Sequence, residues 1–158
     1  MQIDTNFQTP LWCVKYMCSL VPDGVKTVLE PTPGLGGIVR ELEKEYVVTA
    51  PNDFWDVEGH FDCIVMNPPF TPMKVGYEIL YKCMSMSNNI IALMPWLTII
   101  NSEKRTKDIM DFGLKSITHL PRSTFKGARV QCCVLEMNKA YDSLTEFKTI
   151  DWRKNEYI

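Results

Sequence analysis

The sequence predicts an α/β fold with a doubly wound, mostly parallel sheet, and three observations carry that prediction. Residues 61–66 and 90–94 are near-continuous apolar runs, the pattern of strands buried on both faces. Segments with helical spacing of apolar residues alternate with these runs, which is the order of strand–helix–strand units. Toward the end, two strand-like runs at about 116–120 and 130–137 are separated only by a loop, so a terminal antiparallel hairpin is expected at the sheet edge.

Each element follows from local chemistry. Thr9-Pro10 has the form of an N-cap followed by proline at the first helical position, and Leu11, Val14, Met17 and Cys18 recur at helical spacing until Pro22-Asp23-Gly24. A short strand at 25–30 enters Pro31-Thr32-Pro33-Gly34-Leu35-Gly36-Gly37, and a helix follows over about 38–45. Residues 46–49 form a second strand and 61–66 a third. The third must stop at Asn67, because Pro68 and Pro69 offer no N–H and each fixes φ at about −65°. A helix over 74–87 turns Val75, Ile79, Leu80 and Met84 inward, and 90–94 is another buried strand. Asn101 or Ser102 caps a further helix that ends at Gly113, and Lys104-Arg105-Thr106-Lys107 reads as its exposed face. The hairpin is joined by the basic loop Arg122-Ser123-Thr124-Phe125-Lys126-Gly127-Ala128-Arg129. Residues 140–158 carry no clear period, although Phe147, Ile150 and Trp152 point to a tail that packs.

At 158 residues the chain has room for a single domain, 1–158, with a sizeable core and one site. A formal net charge of −2 lacks the basic balance of many nucleic-acid binders. Six cysteines without a C-x-x-C pair, and only two histidines, argue against a metal and for reduced thiols in a cytoplasmic protein. His60 and His119 are assigned no chemistry. The N-terminus has no basic segment followed by an apolar stretch. The longest apolar run, 90–100, is short for a bilayer and broken by Pro95, so no membrane partner is expected.

The chemistry concentrates in two places. Asn67-Pro68-Pro69-Phe70 puts an amide at the end of a buried strand, next to carbonyls whose direction the prolines fix and an aromatic ring. The Asn67 oxygen and the Pro68 carbonyl are placed to accept both hydrogens of an amino group on a flat heterocycle, with Phe70 stacked on its face. The bland alternative is a strand-ending turn with a packed Phe. The second place is Glu30, which ends the first strand beside the G-x-G of Gly34 and Gly36, where backbone is able to approach a ligand closely. There is no G-x-x-x-x-G-K-[ST], and an acidic residue beside the turn disfavours a nucleotide phosphate and favours a cationic or hydroxyl-bearing ligand.

With these residues placed, the chain resembles the S-adenosylmethionine-dependent adenine-N6 DNA methyltransferases of the permuted order, in which an F-x-x-P segment precedes the glycine motif. Phe7-Gln8-Thr9-Pro10 matches the leading segment, Glu30-Pro31-Thr32-Pro33-Gly34-Leu35-Gly36 the cofactor loop, Asp53-Phe54 the acidic-aromatic pair, and Asn67-Pro68-Pro69-Phe70 the catalytic motif. Leu120-Pro121 through Phe125 and the strand that follows are similar to the family's last hairpin, so the likeness spans roughly residues 5–138. It implies a Rossmann-like class I methyltransferase fold. Phe7, Thr9 and Pro10 would wall the cofactor pocket, and Glu30, beside Pro31, would bind the cofactor's ammonium, with Gly34 and Gly36 leaving room for it. Asp53 would hydrogen-bond the cofactor's adenosine, through ribose or adenine, with Phe54 against its ring. Asn67, Pro68, Pro69 and Phe70 would be catalytic, and the acceptor would be an adenine in DNA.

Two departures stand out. The interval between the glycine turn and Asn67 is short by about one strand–helix unit, so residues 46–49 stand for either the second or the third strand of the family. No target-recognition domain is apparent, which leaves sequence specificity to a specificity subunit or a homo-oligomer. Asn-Pro-Pro-aromatic also occurs in methyltransferases acting on RNA adenine or protein glutamine, and a catalytically weak binding module is a third alternative. Arg122, Lys126 and Arg129 are the phosphate-contact candidates, against the simpler reading of a solvated loop.

Overall fold

The computed structural model describes residues 8–125, 127 and 130–150. In chain order the elements are α1 (Leu11–Ser19), β1 (Thr27–Leu29), α2 (Gly37–Leu42), β2 (Val47–Thr49), a 3-10 turn (Phe54–Asp56), β3 (Cys63–Met66), α3 (Met73–Met84), β4 (Asn89–Pro95), α4 (Leu97–Ile100), α5 (Glu103–Phe112), β5 (Leu114–His119), a second 3-10 turn (Arg122–Thr124), β6 (Cys132–Asn138) and β7 (Glu146–Thr149). Among the described residues the seven strands form one sheet in the order β2-β1-β3-β4-β6-β5-β7.

The sheet is two-faced because side chains alternate along each strand. Val28, Cys63, Val65, Ile91, Leu93 and Val134 pack on one face under α1 and α2, against Cys13, Val14, Ile38 and Leu42. Leu29, Ile64, Met66, Ile90, Ala92 and Met94 pack on the other under α3 and α5, against Ile79, Leu80, Cys83 and Ile109. Both faces of β3 are fully buried, as its unbroken apolar run requires. All six cysteines are free thiols, four of them held in the sheet, α1 or α3 at 0% exposure: Cys13, Cys63, Cys83 and Cys133.

β1, β2, β3 and β4 are parallel, while β6 runs antiparallel to both β4 and β5. The expected antiparallel pair is present, but not at the edge. β6 inserts between β4 and β5, and β7 adds parallel to β5 outside them. Residues 146–149 therefore complete the sheet, so this part of the tail packs as expected: Ile150 is buried, and Phe147, although 63% exposed, lies against Trp96 with ring centroids 6.0 Å apart. Trp152 lies outside the described residues. The shortened middle resolves as well: β2 pairs directly with β1. The stretch from β2 to β3 crosses the sheet through the 3-10 turn instead of a helix.

Local expectations need three corrections. Pro10, not Thr9, is the N-cap of α1, and no side chain caps it. Arg105 is not a solvated face: its guanidinium donates to the carbonyls of Thr98 (2.7 Å) and Leu97 (2.9 Å) and lies over the Tyr77 ring, tying α5 to α4 and α3. On α3 the inward residues are Gly76, Ile79, Leu80 and Cys83, with Val75 and Met84 only half-buried. Ser102 does cap α5, accepting from Arg105 N at 3.2 Å.

Candidate functional site

Parallel strands end on a common edge, and the register decides which residues meet there. Leu29 pairs with both Thr49 and Ile64, and Met66 pairs with Ala92. Counting on from Leu29 and Ile64, Thr32 draws level with Asn67. The Thr32 hydroxyl accordingly reaches the Asn67 carbonyl at 3.4 Å. The first-strand end and the Asn-Pro-Pro turn are thus neighbours because β1 and β3 are adjacent strands, although 35 residues separate Thr32 from Asn67.

Glu30 is a buried carboxyl, 1% exposed. It accepts from Thr32 N at 2.7 Å and, at the long limit of 3.5 Å, from the Thr32 hydroxyl. Burial disfavours the charged form more than these bonds favour it, and pushes its pKa from 4.5 up to about 8. Beside it, Gly34 and Gly36 both have positive φ (+54° and +85°), which is why glycine is needed there. Gly36 N donates to Pro33 O at 2.8 Å, and Arg40 braces the turn by donating to Leu35 O at 2.8 Å. A Cβ on Gly36 would meet Arg40 Nη1 at 3.1 Å, and one on Gly34 would meet Gln8 Oε1 at 3.6 Å. The turn thus lies against the segment that leads into α1.

That same segment reaches Asn67. Asn67 Nδ2 donates to Thr9 Oγ1 at 2.8 Å. Pro68 is buried, while Pro69 and Phe70 are half-buried. Phe70 packs against the α1-side core, so part of its ring is committed to structure. Thr9, Glu30, Thr32, Gly34 and Asn67 are therefore brought together, with Pro31 buried and Pro10 half-buried alongside. Phe7 lies outside the described residues.

One residue of this site escaped the sequence reading. Gly76, inside α3, would place a Cβ 2.9 Å from Pro69 O and 3.9 Å from Pro68 Cγ, so the turn seats directly on the helix backbone. Its signal was available: a glycine within a helix is destabilising by about 0.5–1 kcal/mol relative to Ala, so its presence calls for a packing reason.

The acidic-aromatic pair divides. Asp53 is exposed and caps the 3-10 turn, accepting from Trp55 N at 2.9 Å. Phe54, expected against a ligand ring, is instead 1% exposed and packed among Leu29, Ile64, Met66 and Ile79. No α-helix intervenes between β2 and β3 in the chain, and the aromatic of the 3-10 turn joins the core on the α3 side of the sheet. Lys82 holds it there, donating to Phe54 O (2.8 Å) and Trp55 O (3.1 Å) with its ammonium 4.5 Å from the Phe54 ring centre.

Arg122 is exposed at the end of β5. With its amide oxygen turned toward Arg122, Gln131 accepts from Nε and Nη2 at 3.1 Å each, so the guanidinium is anchored to the start of β6. Lys126 and Arg129 lie outside the described residues. His119 Nδ1 accepts the Trp96 indole N–H at 3.0 Å, a structural role. Among the described residues no cluster of His, Cys, Asp or Glu is fit to hold a metal, and no helix is long and apolar enough to cross a membrane.

No protein-family model matches the chain. A curated relative, the type II methyltransferase M.CvrRI of Paramecium bursaria Chlorella virus XZ-6E, is 24% identical over an alignment 148 positions long. That match covers 77% of this chain and 38% of the relative, so the chain spans well under half the relative's length. The methyltransferase subunit of a type I restriction-modification system from Streptococcus thermophilus superposes with a TM-score of 0.75 at 14% identity, covering 97% of this chain and 50% of that one. A candidate class I S-adenosylmethionine-dependent methyltransferase from Listeria monocytogenes gives 0.66 at 16%, covering 94% and 67%. The mixed sheet, mostly parallel with β6 reversed, matches the fold of the class I structure from Listeria monocytogenes.

Proposed function

We propose that this chain is a methyltransferase core that moves a methyl group from S-adenosylmethionine to the exocyclic N6 amine of adenine in DNA. The observation that carries the reading is the juxtaposition, on adjacent strands of a class I fold, of Glu30 with its glycine turn and Asn67-Pro68-Pro69-Phe70. The viral relative and the restriction-modification neighbour are both named as methyltransferases, which supports the same class.

The residues present fit the cofactor. Glu30 is a buried carboxyl whose ionisation an ammonium would favour, and beside it Gly34 and Gly36 hold the turn at positive φ, where a side chain would be strained. Asp53, exposed four residues beyond β2, is available to the adenosine hydroxyls or base, while Phe54 is withdrawn into the core. When bound, the cofactor supplies an electrophilic methyl on a sulfonium.

The remaining work belongs to this chain. An adenine amine is a weak nucleophile because its lone pair is delocalised into the ring. The Asn67 side-chain oxygen and the Pro68 carbonyl accept its two hydrogens, most strongly as positive charge builds on nitrogen, which favours the transition state over the ground state. Holding the amine in line supplies the positional part of the acceleration. The part of Phe70 not packed on the core meets the face of the base, which in duplex DNA has to leave the stack. Arg122, with Lys126 and Arg129, contacts phosphate, and a specificity subunit or second copy provides sequence selection.

The test is labelled S-adenosylmethionine offered with duplex DNA, single-stranded DNA, RNA and protein in parallel, followed by identification of the methylated group. N6-methyladenine from DNA is expected. Asn67→Ala should lower single-turnover methylation by about 10²–10³-fold with cofactor affinity little changed. Full activity in that variant overturns the mechanism, and product on RNA or on glutamine reassigns the acceptor.

A further inference from the structure

The Asn67 amide is the group on which the proposed chemistry turns, and an amide side chain rotates easily about its last bond. An acceptor that has to lie in line with a reacting amine is effective only if that rotation is stopped beforehand, since preorganisation is what makes such a hydrogen bond catalytic. The structure shows what stops it. Asn67 Nδ2 donates to Thr9 Oγ1 at 2.8 Å, across 58 residues of sequence. With the nitrogen engaged there, the amide oxygen is directed away from Thr9. Thr9 itself is well placed to hold still. It precedes Pro10, the N-cap of α1, whose carbonyl accepts from both Cys13 N and Val14 N at 3.0 Å. The helix thus started is anchored in the core by Cys13, Val14, Tyr16 and Met17.

We infer that Thr9 is a positioning residue for methyl transfer: its hydroxyl fixes the plane of the Asn67 amide so that the side-chain oxygen faces the acceptor amine. The inference rests on the proposed role of Asn67. It differs from the expectation that Thr9 walls the cofactor pocket, because it places the effect on the chemical step and not on cofactor affinity. The Thr9 hydroxyl is free for this task because the N-cap position of α1 is held by Pro10, whose side chain has no oxygen, and the hydroxyl bonds to Asn67 instead of the helix.

The experiment compares Thr9→Val, which keeps the shape and removes the hydroxyl, with Thr9→Ser, which keeps the hydroxyl. Each is made alone and in the Asn67→Ala background. Single-turnover methylation of a mixed-sequence adenine-containing duplex and of the same strand unpaired is read at saturating S-adenosylmethionine, beside cofactor affinity by calorimetry and thermal melts. Thr9→Val should slow transfer about 3- to 10-fold, the equivalent of one ordinary hydrogen bond to a positioned group. Its cofactor affinity should stay within about twofold, Thr9→Ser should restore most of the rate, and Thr9→Val should add nothing in the Asn67→Ala background. A Thr9→Val enzyme that binds cofactor weakly but reaches the parental rate at saturation overturns the inference, as does an equal loss with and without Asn67. If Thr9→Val melts too low to assay, Thr9→Ala and Thr9→Ser at lower temperature give the same comparison. Failure of the functional reading looks different: Asn67→Ala is then fully active, or the parent methylates no polynucleotide, whatever occupies position 9.

Discussion

Glu30→Gln should abolish a proton release that accompanies cofactor binding. Burial pushes the Glu30 carboxyl from 4.5 up to about 8, against the opposing pull of the Thr32 amide and hydroxyl. At pH 7 roughly nine-tenths of empty molecules therefore hold the proton, and at pH 9 only about one-tenth do. An ammonium brought within a few ångströms favours the carboxylate, so the proton leaves as the cofactor docks. The parent should release close to about one proton per cofactor at pH 7 and about a tenth of one at pH 9. Titration calorimetry at each pH, in two buffers of very different ionisation enthalpy, counts those protons from the difference in heat. Gln keeps an oxygen for Thr32 N but has nothing to release, so its heats at pH 7 should lose most of their buffer dependence while affinity falls. Without cofactor the sign is also defined. The folded-state pKa lies above the unfolded one, so the folded protein holds the extra proton between about 4.5 and about 8. Stability is greatest below that window, falls as pH rises through it, and levels off above. The Gln variant should lack that slope. Parent binding with no buffer dependence at pH 7, or a Gln variant that matches the parent, would refute the ammonium role of Glu30.

Gly76→Ala gains up to about 1 kcal/mol of helix propensity, yet forces Pro69 O away from a Cβ that would stand 2.9 Å from it. Its melting temperature should change little while single-turnover methylation drops about tenfold or more, and an unaffected rate would mean that the turn tolerates displacement. Phe70→Ala should weaken acceptor binding by about 1–3 kcal/mol if its ring meets the base, and a fall in stability with unchanged acceptor affinity would make it a core residue alone. Replacing Arg122, Lys126 and Arg129 with Ala should weaken DNA binding uniformly across sequences and flatten its salt dependence; a loss confined to one sequence would make the loop a base reader.

How far the sequence reached follows from how local each feature is. The stop at Asn67 needs only the missing N–H groups of Pro68 and Pro69, and β3 does end at Met66. The corner at Gly34 and Gly36 needs only backbone freedom, and both adopt positive φ. The order of strands and helices follows from periodicity, because burial on one or two faces leaves its imprint on successive residues. Glu30 and Asn67 were legible as strand-end residues for the same reason.

What remained hidden is decided by neighbours distant in sequence. Residues 146–149 are a three-quarters polar tetrapeptide by themselves, and become β7 only because β5 offers an open edge. The place of β6 between β4 and β5 depends on which pairing buries Val134 and Leu135 on opposite faces, a choice no local window contains. Phe54 turned inward to join the α3-side core, and the Thr9 hydroxyl bonds to Asn67, which lies 58 residues away in sequence. The sequence determined where chain segments begin, bend and stop, since those are contests between a residue and its own backbone. Only the tertiary structure decided which side chains meet, because that depends on strand register and on the space neighbouring elements leave unfilled.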